Sequence, residues 1–259
     1  MGVSCRKFGV YQPPYEAYVM PFAPQSTNAA LLAQLQVFSQ GNNFPDLYRA
    51  YSWNNDTYSN GFPDIYSLES RLIGSDLTTG ITLGDVKAVA VWGTMRNQGR
   101  IAGPAVLSPP NTLHTAAGHA LPALAAQPLA PLKTIQAALR GIGPTYLSKV
   151  LRFALPQEYG AIDTRCVRVF GNGDPRAHQH DWMSLRARND GYGWYILRAQ
   201  RQWPDEYAVW IDILRYIAML LPSNCPHPPA FVGSGLRQQG VWQCADVEMA
   251  LFAYASGYT

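Results

Sequence analysis

The sequence predicts a mainly α-helical protein, and three observations carry that expectation. Apolar residues recur at three- and four-residue intervals in separate blocks, the period of a helix face. Ser, Thr or Asp stands just ahead of several blocks, where a capping side chain belongs. Hydrophobic residues make up 47% of the 259 and charged residues 14%, enough apolar content to bury a sizeable core and too much for a disordered chain.

In chain order, the first helix has Ser26 or Thr27 as its cap and Leu31, Leu32, Leu35 and Phe38 on its apolar face. Residues 39–81, rich in Asn, Gly, Tyr and Asp and carrying Pro45 and Pro63, read as a long ordered loop. Thr82-Leu-Gly-Asp85 resembles a capping box ahead of Val86, Val89 and Ala90, and this helix ends in the polar run from Trp92 to Arg100. Residues 101–131, rich in Ala and Pro, read as a packed connection. Pro131 opens a short helix with Leu132, Ile135, Ala138 and Leu139 on one face. After a turn at residues 140–144, Leu147, Val150, Leu151, Ala154 and Leu155 line the next helix, with Thr145, Ser148, Lys149 and Arg152 opposite. Tyr207, Trp210, Ile211, Leu214 and Ile217 mark a longer helix, stopped at Pro222. Asp246 is the expected cap of a last helix burying Val247, Ala250, Leu251 and Tyr254. No internal repeat divides the chain, so residues 1–259 read as one unit.

Composition narrows the function classes. No apolar run approaches the roughly 18 residues of a membrane span, and the N-terminus lacks a secretory h-region, so a cytoplasmic, nucleoid-associated protein with no membrane partner is expected. Arg6 breaks the myristoylation pattern. Cys5, Cys166, Cys225 and Cys244 are scattered without a Cys-x-x-Cys, which predicts reduced thiols and no metal cluster. His178 and His180, beside Asp181, lack a third ligand at familiar spacing and read as a polar loop. His114 and His119 read as structural. The net charge is +3, but residues 140–201 hold ten basic and five acidic residues, +5, which leaves −2 elsewhere. That polarity suits a local polyanion.

Residues 131–170 carry the chemistry. Two short helices around Gly141-Ile-Gly143 make a hairpin whose backbone amides, free of bulky side chains, can grip a phosphate. Twenty residues past Gly143 stands Asp163, which alone reads as a helix cap.

Leu139-Arg-Gly-Ile-Gly-Pro-Thr-Tyr-Leu-Ser-Lys-Val-Leu-Arg-Phe-Ala-Leu-Pro156 and Tyr159-Gly-Ala-Ile-Asp-Thr-Arg165 together resemble the helix-hairpin-helix DNA glycosylases, in particular the 8-oxoguanine glycosylase-like branch. Trp92 to Arg96 and residues 245–254 echo it more weakly, and about a third of the chain is covered. The resemblance implies two helical lobes around a cleft, the hairpin at about residues 131–155 and the aspartate loop at about 156–170. It places the family's aspartate at Asp163. The family's lysine position holds Thr145, while Lys149 lies one helical turn later, about 6 Å along the axis. Three roles stay open for Lys149: nucleophile, phosphate contact, or bystander to a water nucleophile.

The implied reaction is excision of a flipped-out modified base from double-stranded DNA, with or without strand cleavage. Breaking the N-glycosidic bond builds positive charge on the sugar, which a carboxylate stabilises. The base is an oxidised purine such as 8-oxoguanine, for repair, or a hypermodified phage base such as a modified cytosine, for defence. Asp163 and Lys149 are the expected catalytic pair; Gly141, Gly143, Thr145, Arg140, Arg152 and Arg165 are the expected DNA contacts. Trp53, Tyr58, Tyr66, Trp92, Tyr192 and Trp194 are candidate base-stacking aromatics, most of them expected in the core. A monomer without cofactor or metal is expected. The alternative is a non-catalytic hairpin module that grips DNA, although such a module has no need of a carboxylate beside phosphates. A purely structural protein leaves the +5 segment unexplained.

Overall fold

A computed structural model describes residues 29–78, 80–107 and 129–259. The expected caps Ser26 and Thr27, along with Cys5, His114 and His119, lie outside these residues. The fold is mainly α. In order, the described elements are α1 (Ala29–Gly41), α2 (Phe44–Ala50), β1 (Ser52–Trp53), β2 (Asp56–Thr57), α3 (Pro63–Thr78) and α4 (Leu83–Trp92). Then come α5 (Ala130–Ala138), α6 (Pro144–Ala154), α7 (Thr164–Phe170), β3 (Ala187–Asn189) and β4 (Trp194–Ile196). The chain closes with α8 (Asp205–Leu220), α9 (Pro229–Gly233) and α10 (Cys244–Ser256). The strands form two antiparallel hairpins, β1–β2 pairing Trp53 with Asp56 and β3–β4 pairing Arg188 with Tyr195. Among the described residues, no helix is long and apolar enough to cross a membrane.

Local rules explain most boundaries. Thr82 and Asp85 form the expected capping box, and Val86, Val89 and Ala90 behind it are buried. Residues 39–81 depart from the expected loop, because they hold α2, β1–β2 and α3. Pro45 and Pro63 sit in the first turns of α2 and α3, where proline's missing N–H costs no helical bond. Asn43 accepts the Asp46 amide, and Asp56 Oδ1 accepts the amides of Asp64 and Ile65, so residues that read as turn formers start helices instead. α10 begins ahead of Asp246, which reaches back to the Gln243 amide as the third residue of a capping box.

Two helices run through the core. α10 packs against α2, α7 and α8, while α6 packs against α3, α4 and α5. The polar face expected on α6 is the main correction: Ser148, Lys149 and Arg152 are buried along with the apolar face. Each has a partner that makes burial tolerable. Ser148 Oγ accepts the Ile162 amide at 3.0 Å, and Arg152 Nη1 donates to Glu69 Oε1 at 2.7 Å. Arg152 therefore cannot reach a DNA phosphate, and its expected DNA contact is withdrawn. Glu69 also takes Arg237 at 2.7 and 3.0 Å, and Arg237 Nε donates to Asp246 Oδ1 at 2.9 Å. This ladder joins α3, α6, the segment before α10, and α10 itself.

Removing one member of such a ladder strands the others without a counter-charge. Arg237→Ala leaves Glu69 short of one partner and, among the described residues, Asp246 without a side-chain donor. Urea unfolding should show a loss of about 3–5 kcal/mol, typical of a broken buried pair.

Candidate active site

Lys149 and Asp163 meet although they stand on separate elements. Lys149 Nζ lies 3.3 Å from Asp163 Oδ2, with 4% and 7% of the two residues exposed. Asp163 is also the cap of α7, its Oδ1 accepting the Arg165 amide at 3.1 Å. One oxygen serves the helix and the other faces the amine.

The loop that delivers Asp163 is pinned from three sides. The Tyr207 hydroxyl donates to the Gly160 carbonyl at 3.0 Å and Trp210 Nε1 to the Ala161 carbonyl at 2.9 Å, both from α8. Ser148 on α6 holds Ile162, and the Ala245 amide on α10 donates to the Pro156 carbonyl. At Gly160 a Cβ would fall 2.3 Å from Leu214 and 2.8 Å from Glu248, so only glycine lets the loop approach this closely. Arg215 pairs with Glu158 at 2.6 Å in the same loop.

Aromatic rings enclose the amine. Nζ of Lys149 lies 5.0 Å from the Trp53 ring centre, 5.2 Å from Trp92 and 5.7 Å from Tyr146, within cation–π range of all three. Trp53 Nε1 and Asn54 Nδ2 both donate to the Trp92 carbonyl, and Trp92 Nε1 donates to the buried Asp56 at 2.7 Å. The Tyr146 hydroxyl donates to the Gly93 carbonyl at 3.2 Å, and a Cβ on Gly93 would press on the Tyr146 ring and the Lys149 stem. Arg165 completes the rim, its guanidinium over Trp53 and Phe252 at 5.4 and 5.0 Å.

Beneath this pair lies Glu248 of α10, buried, its Oε2 3.7 Å from Arg152 Nε. Burial pushes its carboxyl up to about 7, against the pull of Arg152 and Lys149 and with a push from Asp163. Sequence reasoning missed Glu248, Tyr146 and the Glu69 ladder. One signal was available: two acids, Asp246 and Glu248, inside an otherwise apolar helix.

The two hairpin glycines differ. Gly141 has φ +73°, and a Cβ there would strike the Arg100 carbonyl, while the neighbouring Arg140 pairs with Ala102. Its glycine is a backbone requirement. Gly143 has φ −96°, and a Cβ there meets nothing within 4 Å. Among the described residues, no backbone carbonyl takes the amides of Gly141, Ile142 or Gly143. Arg140 and Gly141 are exposed and Thr145 is half-buried.

Compared with models of protein families, with curated proteins and with solved structures, the chain matches none. The other candidates fall elsewhere. Tyr58 and Tyr66 pack on Phe62 and Phe231, Trp194 lies under Arg168, and Tyr192 is 85% exposed. His178 pairs with Asp181, and His180 sits among Phe170, Trp182 and Tyr254. Cys225, His227 and Asp246 place three possible ligand atoms within 4.8 Å of one another. The Asp246 oxygens already accept Arg237 and the Gln243 amide, and a guanidinium there repels a metal cation. A cavity of about 350 Å³, lined by Gln34, Asn172, Asp181, Ser184 and Glu206 among others, includes neither Lys149 nor Asp163.

A carboxyl raised by folding binds its proton at pH values where the unfolded chain has released it. Stability contributed by Glu248 is therefore present below its ordinary 4.5 and lost as pH rises toward 7. Glu248→Gln should flatten that decline, by on the order of 1 kcal/mol per pH unit, in unfolding series run across this window.

Proposed function

We propose that this protein is a DNA glycosylase of the helix-hairpin-helix kind, with α5 and α6 as its hairpin and Lys149 and Asp163 at the cleft between its two lobes. One observation carries the reading: an amine and a carboxylate 3.3 Å apart, set among aromatic rings and fixed by α6 and the loop that follows it. Gly143 supports it, because a Cβ there would meet none of the described residues, and no described backbone carbonyl takes the amides of residues 141–143, which leaves them open to a phosphate.

In this mechanism the hairpin and Arg140 hold the DNA backbone while the target nucleotide rotates out of the stack. Trp53, Tyr146 and Arg165, all half-buried, border the way to the pair. As the bond from C1′ to the base breaks, its electron pair leaves with the base and positive charge grows on the sugar. Asp163 faces that charge. The Lys149 ammonium gives a proton to the departing base, its freed lone pair forms the C1′–N bond, and the proton then surplus on nitrogen passes to Asp163. Ring opening then gives a Schiff base, from which the strand can be cut. With water as nucleophile, the product is an intact abasic strand. The offset of Lys149 from the family's lysine position is met by geometry, since a long side chain one turn later still reaches the aspartate. The substrate base is an oxidised purine in repair or a hypermodified phage base in defence. The rival reading, a hairpin module that binds without cutting, draws on Asp163 Oδ1 as a helix cap, a role that requires no chemistry.

The deciding experiment incubates the protein with duplexes carrying a panel of modified bases, scores released bases by mass spectrometry, and traps adducts with borohydride. Base release with a trapped adduct, lost in Lys149→Gln, assigns the nucleophile. Release without trapping assigns water. Binding without release from any duplex favours the module, and absence of DNA binding overturns the whole reading.

Asp163→Asn keeps the cap at Arg165 but removes the charge facing the sugar. Base release should fall about a hundredfold or more, with the folded state verified by circular dichroism. Gly143→Val should fold as the parent does and weaken binding to every duplex alike, as an anisotropy titration would read. Unchanged affinity would reduce the turn to a connector.

A further inference from the structure

The β3–β4 hairpin is built as a presented surface, and neither the Lys149–Asp163 pair nor the glycine turn uses it. Its inner face is buried through Ala187 and Ile196, while Arg188 and Tyr195 form an exposed cross-strand pair on the outer face. Arg186, at the same parity, is also exposed, and so is Tyr192 at the tip. An exposed tyrosine at a loose tip would carry little information. This tip is held: Asp190 Oδ1 accepts the amides of Tyr192 and Gly193 at 3.0 and 3.1 Å, and Asn189 accepts that of Gly191. At the base, Gln200 bonds both the amide and the carbonyl of Arg186. Arg168 lies 4.3 Å over the Trp194 ring, fastening the hairpin to α7.

Its position matters as much as its rigidity. Both strands pack against α7, which Asp163 caps, and β4 packs against α6, which follows the glycine turn. Just beyond β4, Arg198 donates to the Gln136 carbonyl on α5. The hairpin thus stands beside the helical pair on which the phosphate grip is proposed. It presents two of the six exposed arginines of residues 140–201, Arg186 and Arg188, with Asp190 at its tip turned to the backbone amides of residues 192 and 193.

We propose that the β3–β4 hairpin is a second nucleic-acid contact, with Arg186 and Arg188 on phosphates of the duplex flanking the target and Tyr192 and Tyr195 against its sugars or bases. This rests on the DNA-binding part of the function proposed above. Arginine carries a fixed planar charge that matches phosphate, and an exposed aromatic stacks on bases or sugars without regard to sequence. Preorganisation of the tip lowers the ordering cost of that contact.

The test is fluorescence anisotropy of the full chain on a duplex with an abasic-site analogue and on an undamaged duplex, each titrated with salt. For Arg186→Ala and Arg188→Ala, the slope of log affinity on log salt should become shallower by about 1 for each arginine removed. Tyr192→Ala should weaken binding about fivefold or more with the slope unchanged, as expected for lost stacking. All three residues are exposed, so circular dichroism should be unchanged. If the parent binds DNA and these variants match it, the hairpin proposal is overturned while the glycosylase reading stands. If the parent binds neither duplex, both fail together.

Discussion

The constraint on which the site depends is the pairing of Arg152 with Glu69. A fully buried guanidinium has one tolerable orientation, the one that meets its carboxylate, so the contact fixes the rotation of α6 about its axis. Lys149 lies three residues earlier on the same helix, and side chains at that spacing are surface neighbours. Fixing Arg152 therefore aims Lys149. Glu69 is held in turn by Arg237, and Arg237 by Asp246, so α3 and α10 both take part in setting where one amine points.

The charge balance of this interior is uneven. Lys149, Arg152 and Arg237 supply three positive charges against Glu69, Asp163, Asp246 and Glu248. In a medium of low polarity a surplus acid is costly to ionise, and burial pushes the Glu248 carboxyl up to about 7. A proton held one layer below the pair is also a charge that changes near neutral pH, in electrostatic contact with both Lys149 and Asp163.

Sequence periodicity made the helices legible where a helix has one apolar face, as in α1, α4 and α5. It misled at α6, because a helix surrounded on every side shows the same period as a surface one, and its polar residues look like a wet face. Their partners stand far along the chain, Glu69 from Arg152 and Asp163 from Lys149, and no local pattern records a distance of that kind. The segment of residues 39–81 failed for the opposite reason: Pro, Asn and Asp start helices as readily as they make turns, and only the packing of Phe44, Tyr48 and Ile65 decides between the two. The short β3–β4 hairpin has too few residues for alternation to stand out. The cap role of Asp163 was legible because it depends only on the residues next to it.

Asp163 shows why a structural and a chemical reading of one residue need not compete. A cap must be rigid to work, since its oxygen meets an amide fixed in the helix, and a carboxylate facing a developing charge must be rigid for the same reason. Binding Oδ1 to the Arg165 amide leaves Oδ2 with one direction, and that direction is toward Lys149. The backbone before it is held by Tyr207, Trp210 and Ser148, so the carboxylate sits on a fixed loop, as the proposed chemistry would require. A loop carrying the same aspartate without the cap would place it only on average. Here the start of α7 supplies the aim, and the burial of α6 supplies the partner.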